Sequence, residues 1–296
     1  MSIPVAGVGP LRKQAEPRAL DDLDLAYLSD FLKKKIGMEL GTEKRYLVES
    51  RLGPIASREK LPGVRGVLDL LRRDPLHPLV EDVIDAMTTH ETLFFRDREP
   101  FEHLKRKILP DLLTSRLKQR SLRIWSAACS TGQEPYSLAM AIEEVISANR
   151  EFGAAKDWKI EIIATDISKA TLRRAEAGIY SNFEMGRGLP DTMKARWFKG
   201  LTDGTWEFRE ELRKWVKYRL HNLTDSAQEL GTFDLVFCRN VLIYFGLEDK
   251  RRILSRLAST LAADGRLFLG GAETVLGITQ EFRRETGTTS AIYRKT

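Results

Sequence analysis

The chain has 296 residues, 42% of them hydrophobic and 30% charged, which suits one large globular domain or two modest ones. The 48 basic and 42 acidic residues leave a net charge of +6, a dispersed excess that favours acidic partners without indicating a nucleic-acid surface. No apolar run approaches the roughly 20 residues that span a membrane. The two cysteines make neither a disulfide framework nor a zinc site, so a metal-free protein of the reducing cytoplasm is expected.

The N-terminal part of the chain predicts helices and no strand. Residues 1–20 lack the continuous apolar core of a secretion signal and are expected to be a flexible tail. Residues 21–118 are expected to form a helical domain and a linking helix, because apolar side chains recur there at helical spacing. The predicted helices cover Leu25–Leu32, Thr42–Leu52, Val64–Leu71, Leu79–Met87 and Phe101–Leu112.

From Leu122 onwards, strands and helices alternate. The predicted strands are Leu122–Ala128, Ile160–Thr165, Phe233–Cys238 and Arg266–Gly270, and the predicted helices are Pro135–Ala148, Ser168–Ala177 and Glu248–Ala262. This alternation indicates an α/β fold for residues 119–296, with a doubly wound, mostly parallel sheet covered on both faces. The alternation lapses within residues 180–220, where Thr205–Phe208 and Trp215–Leu220 predict a small antiparallel β-subdomain.

The segment Leu122–Ala139, LRIWSAACSTGQEPYSLA, predicts a cofactor-binding turn. A buried strand ends there in small residues, and a helix opens at Glu134-Pro135, an arrangement typical of nucleotide-type pockets. The turn is not the GxGxxG of dinucleotide enzymes, and a carboxylate at Glu134 would repel a pyrophosphate. A ligand with an ammonium or sulfonium group would be attracted, which favours S-adenosylmethionine over NAD.

Two further strand ends carry polar side chains. Asp166 ends the strand of IEIIATD, where a carboxylate accepts hydrogen bonds from ribose hydroxyls; the alternative is that it only caps the helix that begins at Ser168. The strand of FDLVFCRNVLIYF ends in Arg239-Asn240, with Tyr244 one turn later, where substrate and reacting atom usually meet. In enzymes that modify amino groups, a proline pair often follows this asparagine, and the carbonyls of that turn orient the amino nitrogen. No proline pair follows Asn240, so an amine target is disfavoured. These residues could instead cap the strand and pack.

The remaining candidates have weaker signals. His90-Glu91 lacks the second histidine of a zinc helix. Arg96 is either a fork for a carboxylate or a solvated charge, and Asn222 follows a strand at a spacing that could reach an adenine ring. A basic face on the helical domain would include Arg45, Arg51 and Arg58, although a merely solvated face fits equally well.

Four motifs in order, MTTHETLFFR, WSAACSTGQEPYSLA, ATDIS with the later GIY, and FDLVFCRNVLIYF, resemble the bacterial chemoreceptor glutamate methyltransferases, the CheR family. The resemblance runs from about Leu23 to the C-terminus. It implies a helical N-terminal domain before a class I S-adenosylmethionine-dependent methyltransferase domain with an inserted β-subdomain. It also implies esterification of glutamate side chains on the cytoplasmic helices of chemoreceptors, with S-adenosylhomocysteine as product.

The resemblance also implies roles for residues at matching motif positions. Tyr244 would stand beside the transferring methyl group, Arg96 would position a carboxylate, and Arg45, Arg51 and Arg58 would face the receptor. Cofactor contacts are implied for His90, Thr92, Arg96, Ala128, Glu134, Asp166, Asn222, Leu223, Arg239 and Asn240.

The chain departs from the family at His90, where members often have asparagine, so the charge at that position would depend on pH. The receptor-facing helix is also poorer in arginine. Some members bind a short C-terminal receptor peptide through the β-subdomain, so a receptor peptide is a possible partner. The chain is expected to be a monomer. Two other functions stay open: a non-catalytic module that binds S-adenosylmethionine or its product, and a methyltransferase of the same fold with another substrate.

Overall fold

The computed structural model describes residues 20–41 and 44–296, and within them the chain forms two compact units. The first unit comprises the described residues up to Asp30 together with 40–87, and the second comprises Phe31–Glu39 and Thr88–Thr296. The expected tail lies outside the described residues except for Leu20, as do Thr42 and Glu43, where a helix was predicted to begin.

The first unit is helical. It contains the first part of α1 (Asp22–Ile36) and all of α2 (Arg45–Arg58), α3 (Gly63–Arg73) and α4 (Leu79–Met87). Each helix buries an apolar stripe, including Leu28 of α1 and Leu52 of α2. Asp24 is buried, and its carboxylate accepts a hydrogen bond from Arg72 at 2.8 Å, which compensates the burial of the charge.

The chain divides into units at Met87, earlier than the boundary expected at residue 118. Residues 88–118 contain α5 (Glu99–His103), a π-helical turn (Leu104–Ile108) and α6 (Leu109–Ser115), all within the second unit. Their apolar side chains, among them Leu109 and Leu113, are buried in the same core cluster as Ile124. A helical pattern identifies an apolar face but not its partner, so the sequence alone describes this segment only as a linking helix at the end of the helical part of the chain.

The second unit is built on a seven-stranded sheet and a smaller three-stranded sheet. The strands are β1 (Ser121–Ala127), β2 (Lys159–Asp166), β3 (Ile179–Tyr180), β4 (Phe198–Gly200), β5 (Trp206–Phe208), β6 (Val216–Leu220), β7 (Phe233–Cys238), β8 (Leu261–Leu269), β9 (Phe282–Arg284) and β10 (Ile292–Lys295). The helices between them are α7 (Gln133–Ala148), α8 (Lys169–Ala177), α9 (Asn182–Met185), α10 (Asp191–Trp197), α11 (Glu210–Arg213) and α12 (Leu247–Thr260).

The large sheet has the order β6-β2-β1-β7-β8-β10-β9, in which the first five strands are parallel and β10 is antiparallel to both its neighbours. The chain winds outward from β1 to β6 on one side and continues with β7 and β8 on the other. The strand order therefore reverses between β1 and β7, and open α/β sheets bind ligands at the carboxyl ends of the strands at such a point. The doubly wound, mostly parallel sheet predicted from the sequence is confirmed.

Both faces of the central strands are buried, as their continuous apolar runs predict. Within β1, Ile124 lies in one core cluster and Trp125 in the other, and Phe237 and Val236 divide β7 in the same way. This alternation follows from the two-residue period of a strand. It fixes the strands tightly and leaves their carboxyl ends free to carry polar side chains.

The small sheet has the order β3-β5-β4 and is antiparallel. It confirms a small antiparallel insertion and includes Trp206–Phe208 of the predicted segment. The prediction for Trp215–Leu220 was wrong, because β6 pairs parallel with β2 in the large sheet, from Ile162 with Val216 to Asp166 with Leu220. Its mixed composition resembles a solvated strand because β6 is an edge strand of the large sheet.

Among the described residues, no helix is both long enough and apolar enough to cross a membrane.

Candidate active site

A cleft opens at the reversal of strand order in the second unit. It brings together the residues predicted at the ends of β1, β2, β6 and β7 and in the segment before α5. The site residues proposed from the sequence that line it are His90, Thr92, Arg96, Ala128, Glu134, Asp166, Asn222, Leu223, Arg239, Asn240 and Tyr244.

The turn between β1 and α7 brings backbone close to the cleft. Ala128 and Ser130 have φ angles of 61° and 52°, in the left-handed region that most side chains avoid. Gly132 has φ of 95°, and a Cβ there would lie 2.8 Å from the Tyr180 hydroxyl, so this position needs glycine. Contacts within the fold hold the turn: the Ser130 hydroxyl donates to the His90 carbonyl at 2.8 Å. Small residues at this turn are therefore a geometric requirement.

Asp166 ends β2 and is 6% exposed. Its carboxylate accepts hydrogen bonds from the backbone N–H groups of Ser130 at 2.9 Å and Ser168 at 3.0 Å. Ser168 itself caps α8, because its hydroxyl accepts from Thr171 N at 2.9 Å. Burial raises the pKa of Asp166 above its ordinary value. The carboxylate lines the cleft and has lone pairs left for a ligand's hydroxyl groups.

Glu134 lies in the first turn of α7, where the helix dipole favours a negative charge. It accepts hydrogen bonds from the Ser126 hydroxyl at 2.8 Å and from the Arg239 guanidinium at 3.3 Å. Burial raises its pKa, and Arg239, Ser126 and Arg96 act in the opposite direction. A cation bound here would offset the cost of burying this carboxylate.

Arg239 follows β7, and its side chain is only 2% exposed. Besides Glu134, its guanidinium donates to Asp97 at 2.7 Å and to the Arg96 carbonyl at 3.0 Å, and it lies 5.7 Å from the centre of the Phe101 ring. These acceptors occupy much of its donor capacity. Arg239 is predicted to contact the cofactor, and in the structure it also holds the segment that carries Arg96.

That segment has an unusual backbone. Phe95, Asp97 and Arg98 all have positive φ angles, of 49°, 68° and 49°, and they flank Arg96 on both sides. The Phe95 N–H donates to the Ser137 hydroxyl at 2.9 Å. Strain of this kind persists only where surrounding contacts impose the conformation. The Arg96 side chain donates to the Glu91 carbonyl at 2.9 Å and is partly exposed in the cleft, where it can meet an anion.

The turn after β7 sets Asn240 and Tyr244 at the cleft. Asn240 has φ of 59°, and a 3₁₀ turn (Leu242–Tyr244) follows. The buried carboxylate of Glu273 accepts hydrogen bonds from the backbone N–H groups of Asn240, Val241 and Leu242 at 2.7–2.8 Å. The sequence analysis did not identify Glu273, because a glutamate in a loop after Gly-Gly-Ala has the pattern of a solvated charge.

The end of the cleft beyond Asp166 includes residues from near the start of the chain. Ile36 and Met38 line it, and the Asn222 amide donates to the Lys35 carbonyl at 3.0 Å. Met38 forms an isolated antiparallel bridge with Phe245. We call Phe31–Glu39 the wall segment; the sequence analysis gave it no functional role, since an amphipathic helix end before a glycine carries no signal of a ligand.

His90 and Thr92 line the cleft from the segment before Arg96. The His90 Nε2 atom is 2.9 Å from the Thr88 hydroxyl, and the His90 carbonyl accepts from Ser130, so this residue is anchored at both ends. Leu223 is buried and lines the cleft beside Asn222. The individual roles proposed for these side chains stay predictions.

The predicted basic face lies on α2 in the first unit and does not line the cleft. Arg45 pairs with Asp22 at 2.6 Å, Arg51 donates to the Met87 carbonyl at 2.6 Å, and Arg58 contacts Asp82 and Glu59. Arg51 and Arg58 share a helix face, whereas Arg45 lies about 120° around the helix from Arg51. Each of these cations already has a partner within its unit, and their receptor-binding role stays a prediction.

The donor set of the cleft fits S-adenosylmethionine. Asp166 is a buried anion for ribose hydroxyls, Glu134, whose side chain is 12% exposed, is an anion for an ammonium group, and Arg96 adds a cation to the lining of the cleft. Apolar side chains for a purine ring are Ile36, Met38, Leu223 and Phe245. A doubly charged pyrophosphate would meet the two carboxylates, which explains why this turn lacks the glycine pattern of dinucleotide enzymes.

Comparison with known families gives two matches that cover most of the chain. Residues 23–88 match the CheR methyltransferase all-alpha domain, and residues 90–291 match the CheR methyltransferase SAM binding domain. The boundary between the two matches lies within two residues of the division between the compact units at Met87 and Thr88, although the all-alpha match also includes Phe31–Glu39 of the second unit. The cofactor is therefore S-adenosylmethionine, and the chain is a methyltransferase.

Named relatives agree with the family match. The chain is 45% identical over 89% of its length to chemotaxis protein methyltransferase 1 of Pseudomonas aeruginosa, of which it covers 94%. It is 41% identical over 92% of its length to chemotaxis protein methyltransferase Cher2 of Pseudomonas putida, of which it covers 98%. The family matches and these relatives identify the chain as a member of the CheR family of S-adenosylmethionine-dependent methyltransferases.

Proposed function

We propose that the chain is a protein-glutamate O-methyltransferase that acts in the cytoplasm and esterifies glutamate side chains on the helical domain of chemoreceptors. The observation that carries the proposal is the chain's 45% identity to a relative named as a chemotaxis protein methyltransferase, of which it covers 94%. The site is compatible with it, since a cation at Arg96 and a hydroxyl at Tyr244 line the same cleft.

In methyl transfer, the main task of the protein is to align the methyl group of the cofactor with the substrate carboxylate. The cofactor, when bound, supplies an electrophilic methyl group on a sulfonium. Asp166 would hold the ribose, Glu134 the amino-acid end of the ligand, and Asn240 and Leu223 the adenosyl portion. These groups are pre-positioned by bonds within the fold, so little conformational entropy is lost at the moment of reaction.

The nucleophile requires no general base. A glutamate carboxylate is ionised at neutral pH, so the protein has only to bring it out of water without protonating it. Arg96 would bind one oxygen of that carboxylate, and Tyr244 would donate a hydrogen bond that orients the other toward the methyl group. The expected rate advantage is that of a well-oriented pair of reactants.

The test is transfer of labelled methyl groups to purified cytoplasmic receptor fragments. A methyl ester is released as methanol in mild base, whereas methyl groups on nitrogen are stable. The expected result is base-labile label on glutamates that is lost when they are replaced by alanine. Label that survives base, or no label on receptor fragments from the same cell although the protein binds S-adenosylhomocysteine, would contradict the proposed substrate.

We further propose that the β-subdomain takes up a C-terminal peptide of the receptor. Its outer strands β3 and β4 each have one unpaired edge, the feature that peptide addition to a sheet requires. Phe183, 72% exposed, lies in α9 beside this sheet. Titration of the protein with receptor C-terminal peptides tests this, with calorimetry as the readout; no binding of any peptide would contradict it.

A further inference from the structure

The carboxylate of Glu273 has an environment unlike that of the acidic side chains that line the cleft. It is 7% exposed, and it accepts four backbone hydrogen bonds, from Asn240 N and Gly270 N on one oxygen and from Val241 N and Leu242 N on the other. The four distances lie between 2.6 and 2.8 Å. No cation takes part in these bonds, so backbone dipoles alone compensate the buried charge.

These bonds join two loops at the carboxyl edge of the sheet. The first loop follows β7 and carries Asn240 and Tyr244, and the second follows β8 and carries Gly270 and Glu273. Three successive N–H groups converge on one carboxylate because Asn240 has a left-handed backbone, a combination that forms a concave anion site. The turn that enters the cleft is thus folded around a side chain from the neighbouring loop.

The two loops are also in close contact. A Cβ on Gly270 would lie 2.7 Å from the Asn240 side-chain nitrogen, 2.8 Å from Asn240 N and 2.8 Å from the Glu273 carboxylate. The position therefore requires glycine, and a methyl group there would displace Asn240. Both the carboxylate and the glycine constrain the same short stretch of backbone.

We propose that Glu273 is a positioning residue for methyl transfer, which fixes the backbone of Asn240–Leu242 and through it sets Asn240 and Tyr244 in the cleft. This rests on the proposed function for the role of Tyr244, but not for the effect on ligand binding. Glu273 does not itself line the cleft. Its contribution is pre-organisation: the turn is held in its working conformation before any ligand arrives.

The test compares Glu273→Gln with Glu285→Gln. The amide nitrogen of the first variant would face two N–H donors and lose two of the four bonds. Glu285 has the same exposed fraction, 7%, but pairs with Arg266 at 2.7 Å and with Arg294, and it does not line the cleft. The comparison therefore separates loss of a buried carboxylate in general from loss of this one.

We expect Glu273→Gln to weaken S-adenosylhomocysteine binding about 10-fold in calorimetry. We also expect it to lower kcat about 100-fold at saturating cofactor, because a shift of about 1 Å at Tyr244 suffices for that. Glu285→Gln is expected to leave both within about 2-fold, whatever it does to the melting temperature. A folded Glu273→Gln protein with wild-type binding and wild-type kcat would overturn the proposal.

Two further outcomes are decided by the same measurements. If the wild-type protein binds the ligand but methylates no receptor, the proposed substrate fails, and the binding comparison alone still tests Glu273. If Glu273→Gln does not fold, Gly270→Ala keeps the carboxylate while its methyl group displaces Asn240. Wild-type ligand affinity in that variant would overturn the proposal, and about 10-fold weaker binding would support it.

Discussion

Arginines were predicted to be functional in two regions, the cleft and helix α2, and their surroundings differ. In the cleft, Arg239 is buried and bridges Glu134, Asp97 and the Arg96 carbonyl, which leaves the Arg96 side chain partly exposed beside it. On α2, Arg45 and Arg58 pair separately with nearby acids and do not converge. The two regions therefore differ in the contacts that surround their arginines, which the residue type alone does not reveal.

The largest expected effect is a loss of turnover, and the melting temperature should distinguish the two arginines of the cleft. Arg96→Ala should lower turnover about 100- to 1,000-fold, because a charge positioned for the reacting carboxylate is lost, while the melting temperature stays close to wild type. Arg239→Ala should also lower the melting temperature, since Glu134, whose side chain is only 12% exposed, loses its cation. Thermal unfolding and methyl-transfer assays check this. Equal destabilisation by both changes would remove the distinction.

The next effect concerns Asp166, the carboxylate proposed to bind the ribose. Asp166→Ala should weaken S-adenosylhomocysteine binding about 100-fold, the loss of two hydrogen bonds to a charged group, measured by calorimetry. Glu161→Gln is the matched control, because it lies on the same strand β2 and pairs with Arg123 and Lys217 away from the cleft. Wild-type affinity in Asp166→Ala would contradict the ribose assignment.

Tyr244→Phe should have a smaller effect. One hydrogen bond to the reacting carboxylate is lost, so kcat should fall about 10-fold while the affinity for S-adenosylhomocysteine stays unchanged. Single-turnover methyl transfer at saturating cofactor is the measurement. Full turnover would exclude Tyr244 from the mechanism, whereas a parallel loss of ligand affinity would assign it to cofactor binding instead.

Lowering the pH should weaken cofactor binding by a few-fold. Burial raises the pKa values of Glu134 and Asp166, and in the roles proposed for them each binds the ligand more strongly as a carboxylate than as a neutral acid. As the pH falls toward these raised pKa values, a growing fraction of each carboxyl group becomes protonated and the affinity decreases. Calorimetry in buffers of different ionisation enthalpy should detect release of protons on binding. Affinity that rises toward acid would contradict this sign.

The smallest effect is expected on α2. Arg58→Ala removes a predicted receptor contact that already pairs with Asp82, so it should raise KM for the receptor by no more than about 3-fold, with no change in ligand affinity. Receptor methylation at varied fragment concentration measures it. A much larger rise in KM would show that Arg58 exchanges Asp82 for a receptor carboxylate, and the two regions would then be alike in function.

The position of the cleft could be predicted because it follows from the topology of the sheet. Parallel strands end at one edge of a sheet, so polar residues after β1, β2 and β7 had to meet there, and Glu134, Asp166 and Asn240 do. Edge strand β6 was misplaced because its half-exposed pattern also fits a small antiparallel sheet. A local pattern reports how a segment is buried, and the choice of partner depends on the rest of the chain.

Glu273 and the wall segment could not be predicted for the same reason. Glu273 has the local sequence of a loop charge, and only the neighbouring turn gives its carboxylate four donors. Met38 follows an ordinary amphipathic helix and a glycine, and nothing nearby indicates a ligand. Both depend on backbone geometry at distant positions, which no spacing of residue types encodes.

The bridge between Met38 and Phe245 also bears on the order in which the protein is made. The Glu39 N–H also donates to the Tyr244 carbonyl at 2.9 Å. The wall segment is therefore synthesised about 200 residues before the turn with which it pairs. Pairings this far apart in sequence close a long loop and tend to form late in folding. A ligand that binds only when these two segments are paired would therefore stabilise the whole second unit against unfolding. At about 100 times its Kd it would add about 2.7 kcal/mol of stability, and proteolytic cleavage within Phe31–Glu39 should slow accordingly.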